Sequence, residues 1–188
     1  MSLEKDPWVK LIPHSNAENP PGVSFEVKVE RMNSLLNLEY RLSGNLSSIL
    51  IPTLKEKPER SHLLWQHTCF EAFLSQEEGE NYWELNVSPS GDWNFYRFDR
   101  YRQGQQEELI IKNLQAEWAQ VEKNELTCRL SLDLGLFMLP DSLDRILLGL
   151  TGVLEERTLS KTYWANQHVA PQPDFHLRKS FIEVIRSF

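Results

Sequence analysis

Hydrophobic and polar residues alternate with a period of two over much of this chain. Phe25, Val27 and Val29 alternate with Ser24, Glu26, Lys28 and Glu30. Leu36, Leu38, Tyr40 and Leu42 alternate with Asn37, Glu39 and Arg41. Leu126, Cys128, Leu130, Leu132 and Leu134 alternate with Thr127, Arg129, Ser131 and Asp133. Successive side chains of a strand point to opposite faces, so each run predicts a strand with one buried and one wet face. Further strands are predicted at Trp8–Ile12, Thr68–Ser75, Tyr82–Ser88, Trp93–Asp99, Ala116–Glu122, Ile146–Glu155 and Ser180–Ile185. Turn chemistry separates the runs at Asn19-Pro-Pro-Gly22, Ser43-Gly-Asn45 and Pro89-Ser-Gly-Asp92. Helical spacing is scarce: one short turn is predicted from Asp133 to Leu139, stopped by Pro140. Pro52–His62 and Ala165–Asp174 read as long loops, the kind of segment that carries function on a β scaffold. Many short strands with little helix predict an all-β fold, an antiparallel β-sandwich of jelly-roll type. With 188 residues and no internal repeat or linker, residues 1–188 read as a single domain.

Composition narrows the function. The net charge of -7 and the absence of an undiluted basic stretch argue against nucleic acid as a partner. No apolar run is long enough to cross a membrane as a helix. The N-terminal Met-Ser-Leu-Glu-Lys-Asp-Pro lacks the apolar region of a signal peptide, so a cytoplasmic protein is expected. The two cysteines, Cys69 and Cys128, fall within apolar-alternating runs and read as reduced core thiols, with a single buried bridge as the alternative.

The informative segment runs from Trp65 to Asp99. Pleating sends Thr68, Phe70, Ala72 and Leu74 one way and His67, Cys69, Glu71 and Phe73 the other. On the next strand it separates Trp83, Leu85 and Val87 from Tyr82, Glu84, Asn86 and Ser88. On the third it separates Trp93, Phe95, Arg97 and Asp99 from Asn94, Tyr96 and Phe98. Stacked as a meander, the polar sets build one face bearing His67, Glu71, Glu84, Asn86, Asn94 and Tyr96. A face mixing carboxylates with His, Asn and Tyr can hydrogen-bond hydroxyls directionally, and neighbouring aromatics can stack on sugar rings. The bland counterpart is a solvated sheet face. Trp93 and Trp118 read as core, whereas Trp65 and Trp164 flank loops and read as a site edge. Arg60, Arg97 and Arg157 could offer forks to an acidic ligand. Arg97 falls on the apolar side and is expected to be paired with Asp99 or Glu155, or to reach a ligand.

These residues carry a resemblance to DOMON-like proteins related to family-nine carbohydrate-binding modules. It rests on Trp65-Gln-His-Thr-Cys-Phe-Glu71, Tyr82-Trp-Glu-Leu-Asn-Val-Ser-Pro-Ser-Gly-Asp-Trp93 and Tyr96-Arg-Phe-Asp99. It continues through Glu155-Glu156, Tyr163-Trp-Ala165 and Pro173-Asp-Phe-His176. The resemblance implies a jelly-roll sandwich whose relatives bind sugars between aromatics or bind haem through Met and His. Trp164 and the Glu71/Glu84/Asn86 group look like sugar-binding counterparts, but no full ligand set carries over. Met32, Met138 and five His supply no matched haem pair, so no cofactor is expected, with haem or a metal ion as the minor alternative.

The reading is therefore non-catalytic binding of a carbohydrate or other small polar ligand. The expected site comprises Trp65, His67, Glu71, Glu84, Asn86, Tyr96, Arg97, Glu155, Trp164 and His176. One specific expectation is that His67 and Glu71 lie near Trp164 and His176. The alternatives are an enzyme or metal site using His67, Glu71 and His176, and a protein-interaction domain. No catalytic spacing such as His-Glu-x-x-His or Gly-x-Ser-x-Gly is present.

Overall fold

Trp8 begins a strand that belongs to both halves of the fold. The computed structural model describes residues 8–16, 23–121, 124–139, 143 and 145–185. In β1 (Trp8–Pro13), Trp8 to Leu11 pair with β2 (Val23–Met32), and Ile12 and Pro13 pair with β11 (Lys161–Ala165). A strand that changes partners along its length turns a corner in a sheet. One half continues from β2 to β3 (Leu35–Gly44), β9 (Glu125–Asp133) and β8 (Ala116–Val121). The other runs from β11 to β10 (Arg145–Glu155), β4 (Cys69–Gln76), β5 (Tyr82–Val87), β6 (Trp93–Phe98) and β7 (Gln106–Glu107). β12 (Ile182–Ile185) pairs with the start of β10. The named strands pair antiparallel throughout, giving one curled sheet of twelve strands with an unbroken hydrogen-bonded path. No α-helix occurs among the described residues.

The core fills the concave side. Phe70 of β4 lies 4.8 Å from Phe25 of β2 and 5.4 Å from Tyr40 of β3, ring centre to ring centre. The Tyr40 hydroxyl, buried at the centre, donates to the Glu71 carbonyl at 2.8 Å and so ties the two halves together. The alternating residues of β2, β3 and β9 supply Phe25, Val27, Leu38, Leu42, Cys128 and Leu130 to this core. Cys69 faces the opposite side of its strand and bonds weakly toward Asn86, so the two cysteines are separate free thiols.

The predicted strands are present within a residue or two at each end, apart from the described limits. The predicted Asn19–Gly22 turn and the Pro140 stop lie outside the described residues. The turn after β9 is a 3-10 turn at Leu134–Leu136, capped by the Asp133 carboxylate, which accepts from the Gly135 N–H at 3.0 Å. Two strands were not anticipated. β7 is two residues long, too short for a periodic signal. β11 lacks Gly or Pro punctuation on its C-terminal side and merges with the expected Ala165–Asp174 loop.

That omission matters for Trp164. As a β11 residue it pairs with Gly152 of β10 and Pro13 of β1 and turns into the core, 2% exposed. Its indole N–H donates to the Thr162 hydroxyl at 2.9 Å. Gly152 is required opposite it, because a Cβ there would lie 2.5 Å from the Phe25 ring. Trp164 is therefore a core residue, not the edge of a site.

Candidate functional site

The convex side of β4, β5 and β6 is the face that alternation made polar, and it is not wet. Glu71 is 2%, Glu84 5%, Asn86 0% and Asn94 0% exposed. What covers it comes from far along the chain. Phe175, His176 and Phe181 pack on Phe73 at ring distances of 6.4, 5.0 and 6.1 Å. Arg178 anchors this segment by donating to the carbonyls of Gln76, at the end of β4, and of Glu77 and Gly79 just beyond it. A second apolar cluster forms, with Phe73, Tyr82, Tyr96 and Phe98 at its centre.

The cover is incomplete, and a cavity of about 470 Å³ remains. The sheet contributes Glu71, Phe73, Glu84, Phe98, Val153, Lys161 and Tyr163; the loops contribute Trp65, Gln66, Arg102, Gln105, Phe175 and His176. Strand register explains the sheet residues. Glu71 pairs with Asn86 on one side and Thr151 on the other, while Glu84 pairs with Phe73 and Tyr96. The loop residues depend on uncommon backbone. Leu63, at φ 59°, leads into the 3-10 turn Leu64–Gln66 that presents Trp65 and Gln66. Arg102 itself sits at φ 52°. Left-handed conformations of non-glycine residues cost energy and gather at functional sites. Gly104 (φ 69°) completes the Arg102 turn, where a Cβ would fall 2.2 Å from the Asp99 carboxylate.

Two carboxyl groups dominate the electrostatics. Glu71 Oε2 accepts from the Thr151 hydroxyl at 3.3 Å, but Glu71 Oε1 is buried without a hydrogen-bond partner among the described residues. Glu84 Oε1 accepts from Asn86 Nδ2 at 2.8 Å. Burial, and then repulsion from Glu84, raises the Glu71 pKa well above the ordinary carboxylate range. Burial raises that of Glu84 to about 7, against the opposing pull of the Asn86 hydrogen bond and the Arg102 charge. His176 goes the other way, to about 4, because it is buried and faces Arg102. Its Nδ1 lies 2.8 Å from the Tyr82 hydroxyl, whose oxygen also accepts from the Arg102 N–H at 3.1 Å. Tyr82 and the neutral imidazole share this hydrogen bond, and its direction follows the tautomer of His176. Arg102 is held by Asp174 at 3.0 Å, and Asp174 also accepts from Tyr101 at 2.5 Å. Those hydrogen bonds keep Asp174 ionised despite the opposing effect of burial.

Of the ten residues expected from sequence, Trp65, Glu71, Glu84 and His176 line the cavity. Asn86 lies behind Glu84. Tyr96 stands edge-on to Trp65 at 6.1 Å and is 3.0 Å from His62 Nδ1. His67 and Glu155 pair at 2.8 Å next to the cavity-lining Val153, with His67 largely exposed. Arg97 is 3.8 Å from Asp99 in a separate depression with Trp83 and Phe137, on the other side of the sheet. Glu71 and His176 thus share a cavity, whereas Trp164 is across the sheet from both. Arg60 is spent on structure, donating to Asn94 at 2.8 Å and to the Ile111 carbonyl at 2.5 Å beneath the Trp93 ring. Arg157 donates to the Ser47 carbonyl at 2.7 Å. The arginine that does reach the cavity is Arg102, which alternation could not single out because it sits in a turn. Tyr163 and Phe175 were legible only as parts of the resemblance motifs. No group of three or more metal-binding side chains occurs among the described residues. No helix among them is long and apolar enough to cross a membrane.

No protein-family model matches the chain, and no curated protein matches it significantly. Solved structures do. A putative carbohydrate-binding protein from Bacteroides uniformis superposes with a TM-score of 0.74 at 12% identity, over 96% of this chain and 86% of that one. A family 9 carbohydrate-binding module from Caldicellulosiruptor kristjanssonii, solved with glucose, gives 0.51 at 13% identity, over 95% and 83%. The same organism's module with cellotriose gives 0.53 at 12% identity, over 95% and 81%. The chain shares the fold of these proteins.

Proposed function

We propose that this chain binds a small carbohydrate in the cavity over Glu71 and Glu84, without transforming it. On this reading residues 1–188 form one domain, a jelly-roll β-sandwich akin to the DOMON-like group. The observation that carries the proposal is the pairing of buried acceptors with aromatic walls in one cavity. Glu71 Oε1 is buried without a partner, and Trp65, Phe98, Tyr163 and Phe175 surround the same space. A buried acceptor without a donor is costly and is satisfied when a ligand hydroxyl enters. Aromatic faces take the C–H face of a sugar ring while its hydroxyls meet the carboxyls. The fold shared with proteins described as binding carbohydrate, two of them holding glucose and cellotriose, supports the same reading.

Calorimetry with glucose and cellotriose, backed by a glycan array, tests it. Binding is expected to weaken roughly tenfold or more in Trp65→Ala, as for a central aromatic contact. The thermal midpoint should hardly move, since Trp65 is only partly buried. Absence of binding across the panel, or wild-type affinity in Trp65→Ala, would refute the proposal. A second reading, acid–base chemistry on the bound sugar, is favoured by two carboxyls lining one cavity, with burial raising Glu84 to about 7. NMR of the sugar during incubation separates the two, because only the second alters the sugar's own signals over time.

A further inference from the structure

We propose that the ligand carries an amine, and that the Glu71–Glu84 pair receives the ammonium group of an amino sugar. This rests on the carbohydrate reading above and narrows it. The two carboxyls are diagonal neighbours on adjacent strands, since Glu71 pairs with Asn86 two residues beyond Glu84. Each is almost fully buried. Each receives one side-chain hydrogen bond among the described residues, from Thr151 and from Asn86. No lysine, arginine or histidine among them forms an ion pair with either. A carboxylate has about four acceptor positions, so the pair is short of donors and of positive charge together.

The cations in the same cavity do not meet that need. Arg102 acts on Glu84 through its charge, but its side-chain hydrogen bond goes to Asp174 and none reaches either carboxyl among the described residues. Lys161 pairs in register with Glu155, four positions along β10 from Thr151, the partner of Glu71. It thus lies two strands away, about 10 Å across the sheet and 13 Å along it. A hydroxyl brings one O–H, whereas an ammonium brings three N–H donors and a charge. Buried like charges side by side are tolerated where a counter-ion binds between them. A metal ion is the weaker fit, because among the described residues no third ligating side chain completes a group with these two.

The test compares glucose, glucosamine and N-acetylglucosamine by calorimetry at neutral pH on the full chain. N-acetylglucosamine keeps the nitrogen but loses its charge. Glucosamine is expected to bind about tenfold more tightly than either, as a charge-assisted contact in a buried site. In Glu71→Gln and Glu84→Gln, each checked for folding by circular dichroism, the ratio of glucosamine to glucose affinity should fall toward one. Equal affinity for glucose and glucosamine in the wild type would overturn this inference and leave the carbohydrate reading standing. A glucosamine preference unchanged in both variants would overturn its assignment to the carboxyl pair. If none of the three sugars binds, and glycans fail with them, the carbohydrate reading itself falls.

Discussion

Trp164→Ala should destabilise the protein by roughly 3–5 kcal/mol, the usual cost of emptying a buried Trp site. For a chain of this size that lowers the thermal midpoint by roughly 6–20 °C. The indole is 2% exposed and packs edge-on to Phe25 at 6.4 Å. Its neighbour across the ladder is Gly152, which has no side chain to collapse into the space. The Thr162 hydroxyl would also lose its donor. Sugar affinity measured well below the transition should stay at the wild-type value, because Trp164 is separated from the cavity by the sheet. Thermal unfolding followed by circular dichroism checks the first part, and calorimetry at low temperature the second. Lost affinity with normal stability would mean that the indole reaches the ligand, contrary to its position in the core.

Trp164 also marks where reading the chain locally stops working. Alternation divided β4, β5 and β6 into their two faces, down to Glu71, Glu84 and Asn86 on one side and Phe70, Leu85 and Phe95 on the other. Pleating is local, so it survives without knowledge of the fold. The same rule applied to Lys161–Ala165 puts Thr162 and Trp164 together, but only once that segment is known to be a strand. Five residues without a turn signal after them are too few to declare one. Whether a face is wet is a different kind of fact. Glu71 is dry because Phe175 and His176 lie over the same part of the sheet, about a hundred residues later in the chain, and Asn94 because Arg60, Ser61 and Glu107 close over it. No periodicity encodes that cover. Arg102 was hidden for a related reason: its position depends on a left-handed turn and on Asp174, 72 residues away.

The cavity residues divide by how they are held. Glu71, Glu84, Phe98 and Tyr163 project from strands whose backbones are paired on the sheet. Trp65, Arg102 and His176 stand on loops fixed by long-range contacts. Tyr82 links two of these loops, accepting from the Arg102 backbone N–H and sharing a hydrogen bond with His176. Burial raises the Tyr82 pKa to about 12, so its proton stays in place across the physiological range. Tyr82 therefore stays neutral near physiological pH, and the carboxyl pair is the part able to change charge.

That pair should make the protein less stable as the pH rises, and Glu84→Gln should remove much of the effect. The folded chain holds the Glu84 proton up to about pH 7, against 4.5 for an ordinary Glu. Between those values the native state binds more protons than the unfolded state, so unfolding becomes easier with increasing pH. The contribution is fully present below pH 4.5 and is lost as the pH rises through 7. A displacement of this size corresponds to a loss on the order of 3 kcal/mol by mildly alkaline pH. Glu71, raised in the same direction, adds to the slope. A glutamine at position 84 keeps the oxygen that accepts from Asn86 and has no charge to bury. Urea unfolding at pH 5 and pH 8 should therefore find wild type losing more stability than Glu84→Gln, which keeps only the part of the slope due to Glu71, with the variant the more stable at pH 8. Parallel pH profiles would show that Glu84 is not the buried acid described here. A buried carboxyl pair that costs its own fold stability at neutral pH is the trade between stability and recognition that the proposed binding role would account for. A bound cationic sugar should reverse the pH trend, since the ammonium stabilises the same charge that the empty fold resists.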